Sequence, residues 1–248
     1  MRYVSWFSNG AASAVATKLA IAKYKDVQIF NCVVMEEHED NIRFADDCAK
    51  WFGQEITFLS NDEYNASIYE VFEKKRYISG RLGAPCTTEL KKKLREEMQQ
   101  PDDIHVFGYT VDEKDRVDRF IDANNDVQIV TPLFEDGLTK IDCLAMVEDA
   151  GIELPAMYRL GYKNNNCLGC VKAQSPSYWL KIKQDFPDNF NRIAGIEAKI
   201  NCNLIKYDKD KETIRCKLTE IPDYFEPMDD SPDIQCGIFC ELAKGLYK

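Results

Sequence analysis

The residues best suited to chemistry are thiols. The chain has ten cysteines among 248 residues, many for a protein expected in a reducing compartment, where metal binding or thiol chemistry is a better use for them than disulfides. Cys167 and Cys170 form a C-x-x-C after three asparagines, and Cys236 and Cys240 form a second pair near the C-terminus. C-x-x-C spacing lets two sulfurs reach one metal or cluster. Cys86 stands at the head of an expected helix, where the N-terminal dipole favours thiolate. Cys32, Cys48 and Cys143 lie on strand or helix faces and read as small buried residues, and Cys202 and Cys216, outside any paired spacing, read as structural. His38 and His105 are the two histidines. His38 falls at a strand end beside carboxylates, where it can move a proton or serve as a satisfied hydrogen-bonding group. His105 lies inside a strand and reads as packed.

The elements that must position these groups alternate. Tyr3 to Phe7 is aromatic and β-branched, as suits a buried strand. Ser8 to Ser13 are all small, and Ala14 to Lys23 is rich in helix formers. A strand that feeds a helix through small residues can bring backbone N–H groups to an anion, and it also serves as a plain tight connection. Val27 to Val34 reads as a parallel strand covered on both faces, Ile42 to Phe52 as a helix stopped by Gly53, and Glu55 to Leu59 as a third strand. Strands at 103–108 and 127–132 follow, with helices over Tyr69 to Ile78, Cys86 to Met98 and Leu138 to Ala150, the last capped by Thr139. Aromatic-rich helices at 178–186 and 190–200 come after the cysteine pair, and Pro222 to Asp233 reads as a loop. The expected fold is α/β: an open, mostly parallel sheet with helices on both faces, plus a small cysteine-bearing helical C-terminal region. Residues 1–160 form the α/β domain and 161–248 the region packed on it. Ligands of such sheets bind outside the C-terminal ends of the strands. Ser8 to Ser13, Glu36 to Asn41, Tyr109 to Arg116 and the approach to Cys86 all fall there.

Hydrophobic residues make up 45% and charged residues 30%, an ordinary globular composition, and no apolar run approaches the length of a membrane span. The N-terminus lacks the apolar stretch of a signal peptide, so a cytoplasmic protein without a membrane partner is expected. A net charge of −10 argues against non-specific DNA binding. The basic cluster Lys91, Lys92, Lys93 and Arg95 reads as a solvated helix face, with Lys172, Lys181 and Lys183 a second cluster.

Several stretches resemble the phosphoadenosine phosphosulfate (PAPS) reductase family of the adenine-nucleotide α-hydrolase-like, N-type ATP pyrophosphatase (HUP) superfamily, in particular a compact bacterial and phage branch. They are FSNGAASAV (7–15), EEHEDNIRF (36–44), PCTTELK (85–91), FGYTVDEKDRVDRF (107–120), GIELPAMYRLGYKNNNCLGCVKA (151–173) and QCGIFCE (235–241). The resemblance implies a site for an adenine nucleotide: ATP, PAPS or its 3′-unphosphorylated relative APS. Ser8, Asn9, Gly10, Ala12 and Ser13 would hold phosphate or sulfate oxygens. Asn31 and Val33 would lie near adenine or ribose, and Glu37, His38 and Asn41 would line the cleft. Lys91, Glu113 and Arg116 would face the anionic end, where an Arg can clasp a phosphate in bidentate fashion. The chain departs from the SGG-x-D-S loop of the ATP-cleaving members, with Ala11 and Ala12 in the second-glycine region.

The resemblance also implies a 4Fe-4S cluster on Cys86, Cys167 and Cys170. Related iron–sulfur proteins carry adjacent cysteines where this chain has Cys86 followed by Thr87, and Cys236 or Cys240 would replace the missing ligand. Zinc is the alternative metal. In the reductases a terminal Glu-Cys-Gly supplies the nucleophile. Gln235, Cys236 and Gly237 resemble it, with Ile238 in place of the following His, so Cys236 is either nucleophile or ligand.

Three functions follow as expectations. One is an oxidoreductase that reduces PAPS or APS through Cys236, with a thiol electron donor. Another is a sulfurtransferase that adenylates an acceptor, a nucleic-acid base included. The third is a non-catalytic nucleotide-binding sensor. A homodimer is among the assemblies expected.

Overall fold

The computed structural model describes residues 1–80, 83–125 and 127–229. Five strands form one sheet, all neighbours parallel, in the order β3-β2-β1-β4-β5. They are β1 (Tyr3–Trp6), β2 (Val27–Cys32), β3 (Thr57–Leu59), β4 (Ile104–Val106) and β5 (Gln128–Val130). The chain runs outward from β1 to β3, then crosses back to place β4 on the other side of β1. This order makes the C-terminal ends of β1 and β4 the topological switch point, where open α/β sheets take ligands. Cys236 and Cys240 lie outside the described residues.

Alternate residues of a strand point to opposite faces. Tyr3, Phe7, Val27, Ile29 and Val106 point into an aliphatic core. It is completed by α1 (Ala11–Lys23), α2 (Asp40–Phe52) and, further along the chain, α8 (Lys140–Asp149). Ser5 stays polar on that face because its hydroxyl bonds the Thr17 hydroxyl at 2.8 Å. Gly53 ends α2 in the left-handed region with φ 73°, as its position at the end of the apolar spacing predicts. Thr139 caps α8 through a reciprocal bond with Asp142.

A second core lies beside the sheet. It joins α3 (Ile68–Lys75) and the helical run that starts as α4 (Pro85–Thr87), widens into a π-helical stretch over Thr88–Lys92 and continues as α5 (Lys93–Met98). Trp179 and Ile182 of α10 (Pro176–Asp185) and Ile193 of α11 (Pro187–Ile200) fill its centre. Between these parts lie α6 (Lys114–Ala123), α7 (Pro132–Glu135) and α9 (Ala156–Arg159).

One element was not legible in advance. β6 (Ile205–Lys209) and β7 (Glu212–Cys216) form an antiparallel hairpin turned by Asp210 and Lys211, with φ 51° and 69°. Two positive φ values suit a two-residue hairpin turn, which Asn-Gly or Asp-Gly usually announces. Asp-Lys gives no such signal.

Among the described residues, no helix is long and apolar enough to cross a membrane.

Candidate functional site

The site is built at the switch point. Asn31, buried on β2, donates from Nδ2 to the Phe7 carbonyl at 2.9 Å and so fixes the chain as it leaves β1. Asn9 then takes a left-handed φ of 57°. The Ser13 hydroxyl accepts from Ser8 N at 3.0 Å and donates to the Gly10 carbonyl at 2.8 Å, which closes the loop over the start of α1. Gly10, the N-cap of α1, offers no side-chain cap. The Tyr158 hydroxyl stands there instead. Burial pushes its pKa up to about 12, opposed in part by the neighbouring backbone of Ala11 and Asn165. Gly108, after β4, is required by close approach: a Cβ there would lie 2.9 Å from backbone atoms of Ala12 and Ser13.

Behind the loop is a buried polar network. Glu37 Oε2 accepts from Asn9 Nδ2 at 3.3 Å and from Asn41 Nδ2 at 3.0 Å, and Lys91 Nζ reaches Glu37 Oε1 at 3.4 Å. Asn165 Nδ2 donates to the Asn9 carbonyl at 2.5 Å and to Asn41 Oδ1 at 2.8 Å. Burial pulls the Lys91 ammonium down, but Glu37 and the thiols of Cys167 and Cys32 outweigh it, and its pKa stands above the ordinary value. Lys91 lies in the π-helical stretch, a feature frequent at functional sites.

The cysteines approach this network from the other side. The backbone N–H of Leu168 bonds the Glu36 carbonyl at 2.8 Å, and that of Cys170 bonds the Tyr178 hydroxyl at 2.8 Å. Burial raises the Cys167 thiol well above its ordinary pKa, partly offset by Lys91, with Cys170 and Cys86 close enough to add to the rise. Cys86 heads α4 as expected, but its thiol is not depressed. Burial and the neighbouring Cys170 raise it, and Lys172, Lys91 and the helix backbone only offset part of that. Desolvation of the thiol thus exceeds the pull of one short helical turn. Among the described residues no three His, Cys, Asp or Glu side chains stand in metal-holding arrangement. Cys86, Cys167 and Cys170 thus come near one another without forming a ligand set by themselves.

The other expected residues are placed as follows. Ala12 faces the Gly108 turn, and Val33 donates its N–H to the Leu59 carbonyl at 2.8 Å. His38 accepts the Asp40 N–H on Nδ1 at 3.1 Å and sets its ring edge-on to Phe186, so it is bound into the start of α2. Glu113 and Arg116 pair with each other at 2.6 Å, and the Arg116 guanidinium lies over the Tyr109 ring. His105 is buried and packed, as read, and Nδ1 accepts the Trp6 indole N–H at 2.8 Å.

Residues not singled out in advance are Asn165, Tyr158 and Glu36. The run of asparagines marked Asn165 as polar but gave no sign of which neighbour would claim it. Glu36 bonds the Ser67 hydroxyl at 2.5 Å and the Ile68 N–H at 2.9 Å, capping α3 from a distant loop.

No family model matches the chain, and no curated protein matches its sequence.

Proposed function

We propose that the chain binds an adenine nucleotide at the switch point and carries out sulfur chemistry on it, in the manner of the PAPS reductase family it resembles. The observation that carries this reading is the link between the small-residue loop and the cysteine loop. Asn165 ties Asn9 to the segment that leads into Cys167, and Lys91 stands between Glu37 and the thiols. A nucleotide whose phosphate or sulfate oxygens sat against the start of α1 would therefore present its anionic end to Lys91 and to sulfur. Helix N-termini favour anions, and a half-buried ammonium adds charge where solvent screening is reduced.

In this reading the chain's own groups bind and orient the ligand. Asn9 and Ser13 shape the loop, Asn31 holds its backbone, and Glu37 fixes Asn9, Asn41 and Lys91 in one arrangement. Met228 donates its N–H to the Ser177 carbonyl at 3.1 Å, beside the Tyr178 that holds Cys170. The cysteine set, with iron–sulfur or zinc as its metal, remains part of the proposal and is tested by iron, sulfide and zinc analysis of anaerobically purified protein.

The deciding experiment is calorimetric titration of the chain and of Gly10→Val with ATP, APS and PAPS. Gly10 has φ −101° and ψ 152°, a conformation valine adopts readily, and a Cβ there would meet the Tyr158 hydroxyl at 3.4 Å and the Ser8 hydroxyl at 3.9 Å, both ordinary contacts. The variant is expected to fold and to bind at least tenfold more weakly. Equal affinity in both proteins would refute the site. Thiol-dependent sulfite release from PAPS or APS then identifies a reductase, and pyrophosphate release from ATP an adenylating sulfurtransferase.

A further inference from the structure

The opposite face of the sheet holds a charge that the nucleotide reading does not use. Arg95 of α5 is 8% exposed. Among the described residues no carboxylate pairs with it. One hydrogen bond is formed, from Nη2 to Asn124 Oδ1 at 3.2 Å, and Nε is buried with no acceptor. The guanidinium lies 5.4 Å from the Phe120 ring centre, and its charge acts on Cys32, His105 and Tyr109. Phe107, Tyr109 and Phe120 form one tilted aromatic group beside it, all half-buried, with Arg116 over Tyr109 at the rim. The remaining lysines of the same basic run are accounted for: Lys92 pairs with Glu96, Lys93 with Glu89 and Lys91 with Glu37.

A buried ion without a counter-ion costs several kcal/mol, and a buried donor without an acceptor adds to that. Phe120 and one amide oxygen offset part of it. The planar fork of a guanidinium matches an oxyanion in bidentate fashion. We infer that Arg95 is the centre of a second binding site, which takes an oxyanion group (phosphate, sulfate or carboxylate) between α5 and α6, flanked by Phe107, Tyr109 and Phe120. It stands whether or not the nucleotide reading does.

The test reads Arg95 directly. The full chain, labelled with 15N-arginine, is titrated with sodium pyrophosphate at constant ionic strength, and the Arg95 Nε–H resonance is followed by NMR. That resonance is identified by its absence in Arg95→Lys or, should that variant not fold, by through-bond assignment. It is expected to move downfield and saturate, in the parent and in Gly10→Val alike. Arg95→Met should lower the calorimetric affinity of this step at least tenfold. AMP added at saturation distinguishes the source of the group: competition marks a phosphate of the nucleotide, and independent binding marks a second substrate. A resonance unmoved by pyrophosphate, sulfate, acetate and AMP overturns the site. So does a response that disappears in Gly10→Val, which would assign the anion to the α1 loop.

Discussion

The two faces of the sheet solve burial differently. On one, Phe7, Val27, Ile29 and Val106 meet α1, α2 and α8 in an aliphatic core where Leu19, Phe44 and Leu144 are almost wholly inaccessible. On the other, Trp6, His105 and Phe107 meet Arg95 and Phe120, and a ring stack and an indole–imidazole hydrogen bond replace aliphatic contact. The first face is closed by apolar contact, with the Ser5–Thr17 hydroxyl pair as its polar member. The second keeps a cation, a neutral imidazole and half-buried rings under cover that is incomplete. The contrast teaches that one sheet can be closed by different means on its two sides, aliphatic packing on one and ring stacking with a polar pair on the other.

The contrast can be broken from the packed side with the largest effect. Phe44→Ala removes a fully buried ring that stacks on Phe7 and is expected to destabilise the chain by about 4 kcal/mol in urea unfolding. A loss below about 1 kcal/mol would mean that this face is not the main support.

The polar face should show itself in pH. Burial, reinforced by the charge of Arg95, lowers the His105 pKa from 6.5 to about 4. The unfolded chain then binds more protons than the folded one between those values, so stability rises with pH across that window. It is complete above about pH 6.5 and is lost as pH falls toward 4, by on the order of 3 kcal/mol. His105→Phe should flatten this part of the stability–pH curve, and an equally steep curve in that variant would assign the loss to carboxylates.

The smallest effect has the opposite sign. Arg95→Met exchanges a buried, unpaired cation for an apolar side chain of similar length, and replacements of this type are often neutral or stabilising. Urea unfolding without added oxyanion should give a change between zero and about 1 kcal/mol in favour of the variant. A clear destabilisation would show that Arg95 supports the fold through contacts other than those described.

The repeating part of the architecture was readable from the residues. Apolar runs at 27–34 and 103–108, the small residues between Phe7 and Ala14, and stop signals such as Gly53 fixed the parallel sheet, because each depends on neighbours in sequence. What depends on distant partners was not readable. Arg95 belongs to a basic run that looks like a solvated helix face, and only the winding from Thr88 to Met98 turns it inward while Lys92 and Lys93 stay out. The helix position of Cys86 favours thiolate, while the burial that raises its pKa depends on partners distant in sequence. Of the candidate site, the loop residues and Glu37, Asn41 and Lys91 do meet, and Asn165 joins them from a segment whose polarity alone was visible.

Glu36 has a bearing on the order of events as the chain is made. Its carboxylate caps α3, and its carbonyl receives Leu168 from a much later segment. The first three strands can be in place while the cysteine loop is still to come, since domains assemble largely from the N-terminus during synthesis, whereas α3 meets its core partners on α10 and α11 later still. Long-range contacts form late because their loop closure must precede any gain. The thiols of Cys167 and Cys170 would thus be shielded only at the last stage of folding. Until then they stand open to solvent and to oxidation, so the unfinished chain is the more vulnerable species.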